Sequence, residues 1–344
     1  MKVRGCCGYM PLTKKLIVGL VFCSAVICFT GCGNSKRESG DGKVTIGIAK
    51  IVQHEALDAV EQGIIDALDA RGIEAVYDLQ NANNDVNTAS QIAAKFKREK
   101  TAVAVGIATP VAVALANAIK DIPVVFSVIT DPVGAGLVTT VEHGEGNVTG
   151  LSDAIPTPDH IALFKEIAGI KTLGYIYTSS EANSVSALSL VERACAEQGI
   201  ALVTQGITNS SEVRQAAEAI VNRVDGIYLT TDNTVFSALP ALVQVFADGR
   251  KPVFSGDVTG ALNGGCMIAS GFNYYKAGLA TGEMVAEILA GAQPQDMPVR
   301  FITDPSESDL LIDLDAAENC GITIPQGYID MAEYVITGGM LEKR

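Results

Sequence analysis

The chain has 344 residues, 48% hydrophobic and 19% charged, which is long and apolar enough for two domains with their own cores and unlike a disordered polypeptide. Its formal net charge of −14 excludes the basic footprint that nucleic-acid binding needs. No run of like charges forms an interaction tail.

Residues 1–31 read as a secretory leader. Lys2, Arg4, Lys14 and Lys15 give a positive start without an acid, and residues 16–30 are almost wholly apolar. That run is short for a spanning helix. Phe29-Thr30-Gly31-Cys32 resembles a bacterial lipobox, in which the cysteine (here Cys32) is lipidated and becomes the new N-terminus. Phe29 departs from the usual aliphatic first position. Residues 32–43 are polar and Gly-rich, the composition of a flexible tether. Of eight cysteines five lie at or before position 32, and only Cys195, Cys266 and Cys320 remain in the body, widely spaced and without C-x-x-C, so no metal site is expected.

From residue 44 onward strands and helices alternate. Strands are expected over 44–48, 73–79, 101–107 and 124–129, with amphipathic helices between them. A second cycle follows an extended stretch at 147–153, with strands at 173–177, 201–205, 226–229 and 252–255. Connections of two to six residues between alternating elements predict an α/β fold with two doubly wound, parallel-sheet lobes. The tail holds a strong helix to residue 289 and short strands at 298–302 and 310–314, too little for a third domain. It must complete the earlier lobes.

Polar residues cluster after the strands, where a parallel sheet opens its ligand crevice. His54 follows the first strand and Gln80 ends the second. Thr109-Pro110 opens a helix after the third, and free N–H groups at such an N-terminus suit a carboxylate. Ser127 and Thr130 end the fourth strand as candidate hydroxyl contacts, while Asp131 before Pro132 is read as shaping a turn. In the second half Ser179, Glu181, Asn183 and Ser184 form one strand-end loop, Thr231, Asp232 and Asn233 another, and Asp257 a third. An acid there can pair with an ammonium, although capping is an equal reading for Asp232. G-x-S-x-G, G-x-G-x-x-G after a strand, the P-loop and H-E-x-x-H are all absent, so neither an enzyme nor a cofactor is expected.

His54-Glu55-Ala56-Leu57-Asp58, Thr109-Pro110, residues 130–138 (TDPVGAGLV) and Asn147-Val148-Thr149-Gly150 carry a family resemblance. Ser180-Glu181-Ala182-Asn183-Ser184, Thr231-Asp232-Asn233-Thr234 and Gly271-Phe272-Asn273-Tyr274-Tyr275 extend it. Together they resemble the ABC-transporter substrate-binding proteins of the tryptophan/tyrosine type, which have a type I periplasmic-binding-protein fold. The resemblance implies two lobes joined by three crossings: 44–152 plus 273–302, and 153–272 plus 303–336. It also implies a monomeric, lipid-anchored, extracytoplasmic receptor that closes on a small ligand, an amino acid by expectation, and presents it to a membrane permease. The ligand carboxylate is expected near Thr109 and Thr130, and the ammonium near Asp232 or Asp257. Phe126, Tyr177 or Phe236 would supply an apolar wall. A sensory module on the same fold, or a purine, sugar or peptide ligand, is the alternative.

Overall fold

The computed structural model describes residues 43–302 and 308–344. The leader, Cys32, and nearly all of the tether lie outside the described residues.

Near-continuous apolar runs make the first strands buried on both faces, as a parallel sheet covered by helices requires. The chain runs β1 (Val44–Lys50), α1 (Glu55–Ala70), β2 (Ala75–Asn81), α2 (Val86–Glu99), β3 (Val103–Ile107), α3 (Thr109–Ala118), β4 (Val124–Ser127) and β5 (Val148–Ser152). It then passes to α4 (Thr157–Ala168), β6 (Thr172–Thr178), α5 (Ala182–Gln198), β7 (Ala201–Ile207), α6 (Val213–Ile220) and β8 (Gly226–Leu229). After α7 (Asn233–Phe236), α8 (Leu239–Asp248), β9 (Val253–Ser255) and β10 (Ile268–Phe272), it continues through α9 (Tyr274–Leu289) and β11 (Arg300–Phe301). The last elements are β12 (Ser308–Asp313), α10 (Leu314–Cys320), α11 (Gln326–Met331), β13 (Tyr334–Thr337) and β14 (Met340–Lys343).

Two sheets result. The first has the order β11-β5-β4-β3-β1-β2 and every pairing in it is parallel. The second has the order β14-β13-β12-β10-β9-β8-β6-β7, parallel from β7 to β10, with β12 and β14 running antiparallel to their neighbours β10 and β13. The architecture is the expected pair of α/β lobes. The antiparallel β12 and the β13–β14 hairpin are additions to the purely parallel expectation. Gly338 and Gly339 take φ of 60° and 72° in the hairpin turn, a geometry that glycine adopts without strain.

The chain leaves the first sheet after β5, returns after β10 and leaves again after β11. On its return, α9 packs along α1 and its residues join the first lobe's core around Ile48, Val105 and Phe126. The contact is close because it is built on glycine: a Cβ on Gly278 would sit 2.9 Å from Gly63 Cα, and one on Gly282 would sit 2.6 Å from Ala67 Cβ. The second lobe holds apolar layers on both faces of its sheet, around Phe246 on one side and Phe164 and Phe254 on the other. No helix among the described residues is long and apolar enough to cross a membrane.

Candidate binding site

Because the parallel strands of both sheets point their carboxyl ends at each other, the loops after them meet in one narrow crevice. The first lobe contributes His54 and Leu57 after β1, Thr109 after β3, and Val128 and Thr130 after β4. Asp153 after β5 and Tyr274 after β10 come from crossing segments. Asn183 follows β6, Thr231, Asp232, Asn233 and Phe236 follow β8, and Asp257 follows β9.

Two of the turns that form the wall are strained. Ala108, just before Thr109, has φ 73°, and Val128 has φ 53°. Non-glycine residues are held in such conformations where the surrounding structure forces the chain to turn sharply, and they concentrate at functional sites. Ala108 occupies the cap position of α3 without a side-chain cap, so Thr109 is the first helical residue and its hydroxyl is not the cap. The first-turn N–H groups of α3 have no intrahelical acceptor.

The crevice is acidic. Asp153 and Asp257 are buried, and among the described residues no lysine or arginine lines the space. Tyr274 Oη donates to Asp153 Oδ2 at 2.9 Å, and Thr130 Oγ1 donates to Asp153 Oδ1 at 3.4 Å. Asp257 Oδ1 accepts from the Thr259 N–H at 2.8 Å. Burial pushes the Asp153 carboxyl up to about 6. Burial, with a contribution from the charge of Asp153, pushes Asp257 up to about 7. Two carboxyls that resist ionisation for want of a cation are suited to receive one. Burial also lowers His54 to about 4, which keeps its ring neutral at physiological pH.

Asp232 does line the crevice, but its carboxylate is used internally. It accepts from Thr178 N (2.7 Å), Thr178 Oγ1 (2.7 Å), Ser184 Oγ (2.5 Å) and Val235 N (3.0 Å), which leaves little capacity for an ammonium. Ser184 therefore serves Asp232 and is not a wall residue. Glu181 lies buried under the loops. It accepts from Asn233 Nδ2 (2.7 Å), Thr234 Oγ1 (2.6 Å), Thr234 N (3.2 Å) and Asn183 Nδ2 (3.3 Å). Burial, then the charge of Asp232, raises its pKa. Ser127 Oγ bonds Thr281 Oγ1 of α9 at 2.7 Å, inside the first lobe's core. Ser179 is exposed and donates to the Ile207 carbonyl. Gln80 sits at the end of the edge strand β2 and donates to Asp78 at 2.5 Å, away from the crevice. Asp131 shapes its turn as expected, accepting from Gly134 N at 2.8 Å. Among the expected aromatics Phe236 lines the crevice, whereas Phe126 is fully buried in the core and Tyr177 stacks on Tyr175.

His54, Thr109, Thr130, Asn183, Thr231, Asp232, Asn233 and Asp257 are thus brought together, and Leu57, Val128, Asp153 and Tyr274 join them unforeseen. Asp153 carried a readable signal, an acid directly after an apolar strand, as at Asp257.

Polar contacts cross the crevice between the lobes. Asn84 Nδ2 donates to Thr234 Oγ1 at 2.8 Å, Ser186 Oγ to Asp131 Oδ2 at 3.1 Å, and Asn263 Nδ2 to Glu55 Oε1 at 2.6 Å. Thr130 and Thr231 share a hydroxyl bond of 3.2 Å.

Residues 45–336 match the family described as ABC transporter substrate binding protein. The chain belongs to that family. A tyrosine-binding protein of Clostridioides difficile (strain R20291) is 33% identical to this substrate-binding protein over 320 residues, 88% of this chain and 92% of the relative. Among solved structures, a Streptococcus pneumonia ABC domain in complex with L-Trp is 31% identical, with a TM-score of 0.81 over 86% of this chain and 100% of that one. A ligand-free, open substrate-binding protein with adhesive properties from Clostridium difficile is 35% identical, over 86% of this chain and 99% of that one. Its TM-score is 0.64. The fold of this substrate-binding protein is of the type I periplasmic-binding kind.

Proposed function

We propose that this substrate-binding protein is the extracytoplasmic receptor of an ABC importer and captures an aromatic amino acid by closing its lobes. The lobes would comprise residues 44–152 plus 273–302 and residues 153–272 plus 303–336, with lipidation of Cys32 as the membrane anchor and a membrane permease as the partner. The observation that carries this reading is the crevice itself: one acidic pole at Asp153 and Asp257, one helix N-terminus at Thr109, and an apolar wall at Leu57 and Phe236, all between two lobes.

That arrangement suits a zwitterion with an apolar side chain. The ammonium pairs with Asp153 and Asp257, where desolvation strengthens a charge-assisted bond. The carboxylate lies at the N-terminus of α3, met by Thr109 and the helix dipole. The side chain packs on Phe236 and Leu57. A relative named for tyrosine and a structural neighbour holding L-Trp support an aromatic ligand. The higher TM-score against the L-Trp complex (0.81) than against the open, ligand-free structure (0.64) supports domain closure, as do the bonds from Asn84, Ser186 and Asn263 across the crevice. Calorimetry with a panel of amino acids tests the assignment. Micromolar or tighter binding of an aromatic member is expected, and no binding below millimolar by any amino acid would end it. Globomycin sensitivity of processing, lost in Cys32→Ala, tests the anchor.

A further inference from the structure

Two buried polar atoms in the crevice wall have no hydrogen-bond partner among the described residues: Nε2 of His54 and Oδ1 of Asn183. They come from opposite lobes. The amide of Asn183 is oriented by its neighbours, because Nδ2 donates to Glu181 Oε2 at 3.3 Å and to the Thr231 carbonyl at 3.4 Å. Its Oδ1, which can only accept, is therefore the atom left over. Asn233 Nδ2 donates to Glu181 at 2.7 Å, and Asn233 and His54 line the same crevice. Burial keeps the His54 ring neutral, and the tautomer with its proton on Nδ1 presents a lone pair at Nε2.

A buried acceptor without a donor is unfavourable, and proteins seldom leave two in one site unless something else supplies the donor. The ligand's ammonium has Asp153 and Asp257. With the ammonium's N–H groups drawn to those carboxylates, a donor elsewhere on the ligand would satisfy the two acceptors. The nearby surface is aromatic: His54 and Phe236 have ring centroids 6.3 Å apart at an interplanar angle of 40°.

We propose that His54 Nε2 and Asn183 Oδ1 form an acceptor pair that receives a donor carried on the ligand's ring, a phenol O–H or indole N–H, and so select tyrosine or tryptophan against phenylalanine. This rests on the aromatic amino-acid reading above. A site built to bond a substrate donor rejects the analogue lacking it, because its own buried groups are then left unpaired.

Calorimetry on the wild-type protein compares L-tyrosine, L-tryptophan, L-phenylalanine and O-methyl-L-tyrosine, then repeats the series on His54→Phe, which keeps a ring against Phe236. Tyrosine or tryptophan is expected to bind at least about tenfold tighter than phenylalanine and O-methyltyrosine. In His54→Phe that preference is expected to narrow several-fold, with phenylalanine losing less than the donor-bearing ligand. Equal binding of phenylalanine and the better donor-bearing ligand to the wild type overturns the proposal while leaving the amino-acid reading intact. An equal loss of all ligands in a folded His54→Phe also overturns it, because the pair would then serve the ammonium. Failure of every amino acid to bind removes the parent reading as well.

Discussion

Tyr274 and Asp153 lie 121 positions apart in sequence, yet the tyrosine hydroxyl donates to the carboxylate at 2.9 Å with both side chains buried. Each belongs to a segment by which the chain changes sheet, Asp153 just after β5 and Tyr274 just after β10. The bond therefore ties two crossings together at the floor of the crevice. The carboxylate that we assign to the ligand ammonium is also fixed to the element that brings the chain back to the first lobe.

The pair of raised carboxyls makes binding pH-dependent. Asp153 (about 6) and Asp257 (about 7) hold protons in the folded, ligand-free state at a pH where the unfolded chain has lost them. Their contribution to ligand-free stability is thus fully present below about pH 4 and is lost as pH rises through 6 to 7. A cationic ligand needs the ionised forms, so the sign for binding is opposite. Affinity should rise from pH 5 to pH 8, by up to about tenfold per pH unit where one proton is linked, with proton release on binding near pH 6.5. Calorimetry in buffers of different ionisation enthalpy reads the released protons. An affinity flat over this range would contradict the linkage.

Asp153→Asn separates binding from stability. It removes a buried charge but retains an acceptor for Tyr274. The ligand-free variant should gain about 1–3 kcal/mol at pH 8 by urea denaturation and lose at least about tenfold in ligand affinity. A variant both less stable and fully able to bind would contradict the assignment.

Asp232→Ala should act on the fold. Its carboxylate accepts four bonds within the second lobe, including the cap of α7. Its removal leaves Thr178 N without an acceptor from Asp232 and should cost about 2–4 kcal/mol of stability. Denaturant unfolding reads the loss. A stability change under about 0.5 kcal/mol would contradict it.

The lobes should part more easily when their bonds are cut. Asn84→Ala and Asn263→Ala each remove one polar contact across the crevice. Each should weaken ligand binding by roughly two- to tenfold, mainly through faster dissociation. Small-angle scattering of the double variant should show a larger radius of gyration without ligand. Unchanged scattering and kinetics would mean that these bonds do not hold the closed arrangement.

Gly278→Val tests the joint between α1 and α9. Any Cβ there meets the backbone of Val60 and Gly63, which cannot move aside as a side-chain tip can. Overpacking of this kind costs about 1–3 kcal/mol. The loss should appear in urea denaturation. Stability equal to the wild type would show that the helices separate freely.

The strand ends were legible because a parallel sheet covered on both faces is apolar until it stops, so the first small polar residues mark its edge. That is why the sequence places His54, Thr109, Thr130 and the 231–233 loop at strand ends, where they line the crevice. The same logic misassigned Ser127. In a strand buried on both faces a serine within the last apolar residues faces the core, and its partner Thr281 arrives on a helix 154 positions later. Gln80 failed for a topological reason, since strand order, which alignment of apolar runs does not reveal, puts β2 at the sheet's edge. Glu181 and Ser184 look like wall residues by position but lie beneath the wall, where they orient Asn183, Asn233 and Asp232. Asp153 is harder to read, because it ends an extended stretch with no polar strand-end loop around it to mark a site.

An ammonium held by Asp153 and Asp257 is tested by removing that ammonium from the ligand. Calorimetry at pH 7.5 should compare L-tyrosine with 3-(4-hydroxyphenyl)propionate, which keeps the ring and the carboxylate. The propionate should bind at least about a hundredfold more weakly, as expected when a buried charged pair loses one partner. Equal affinity for the two would contradict it.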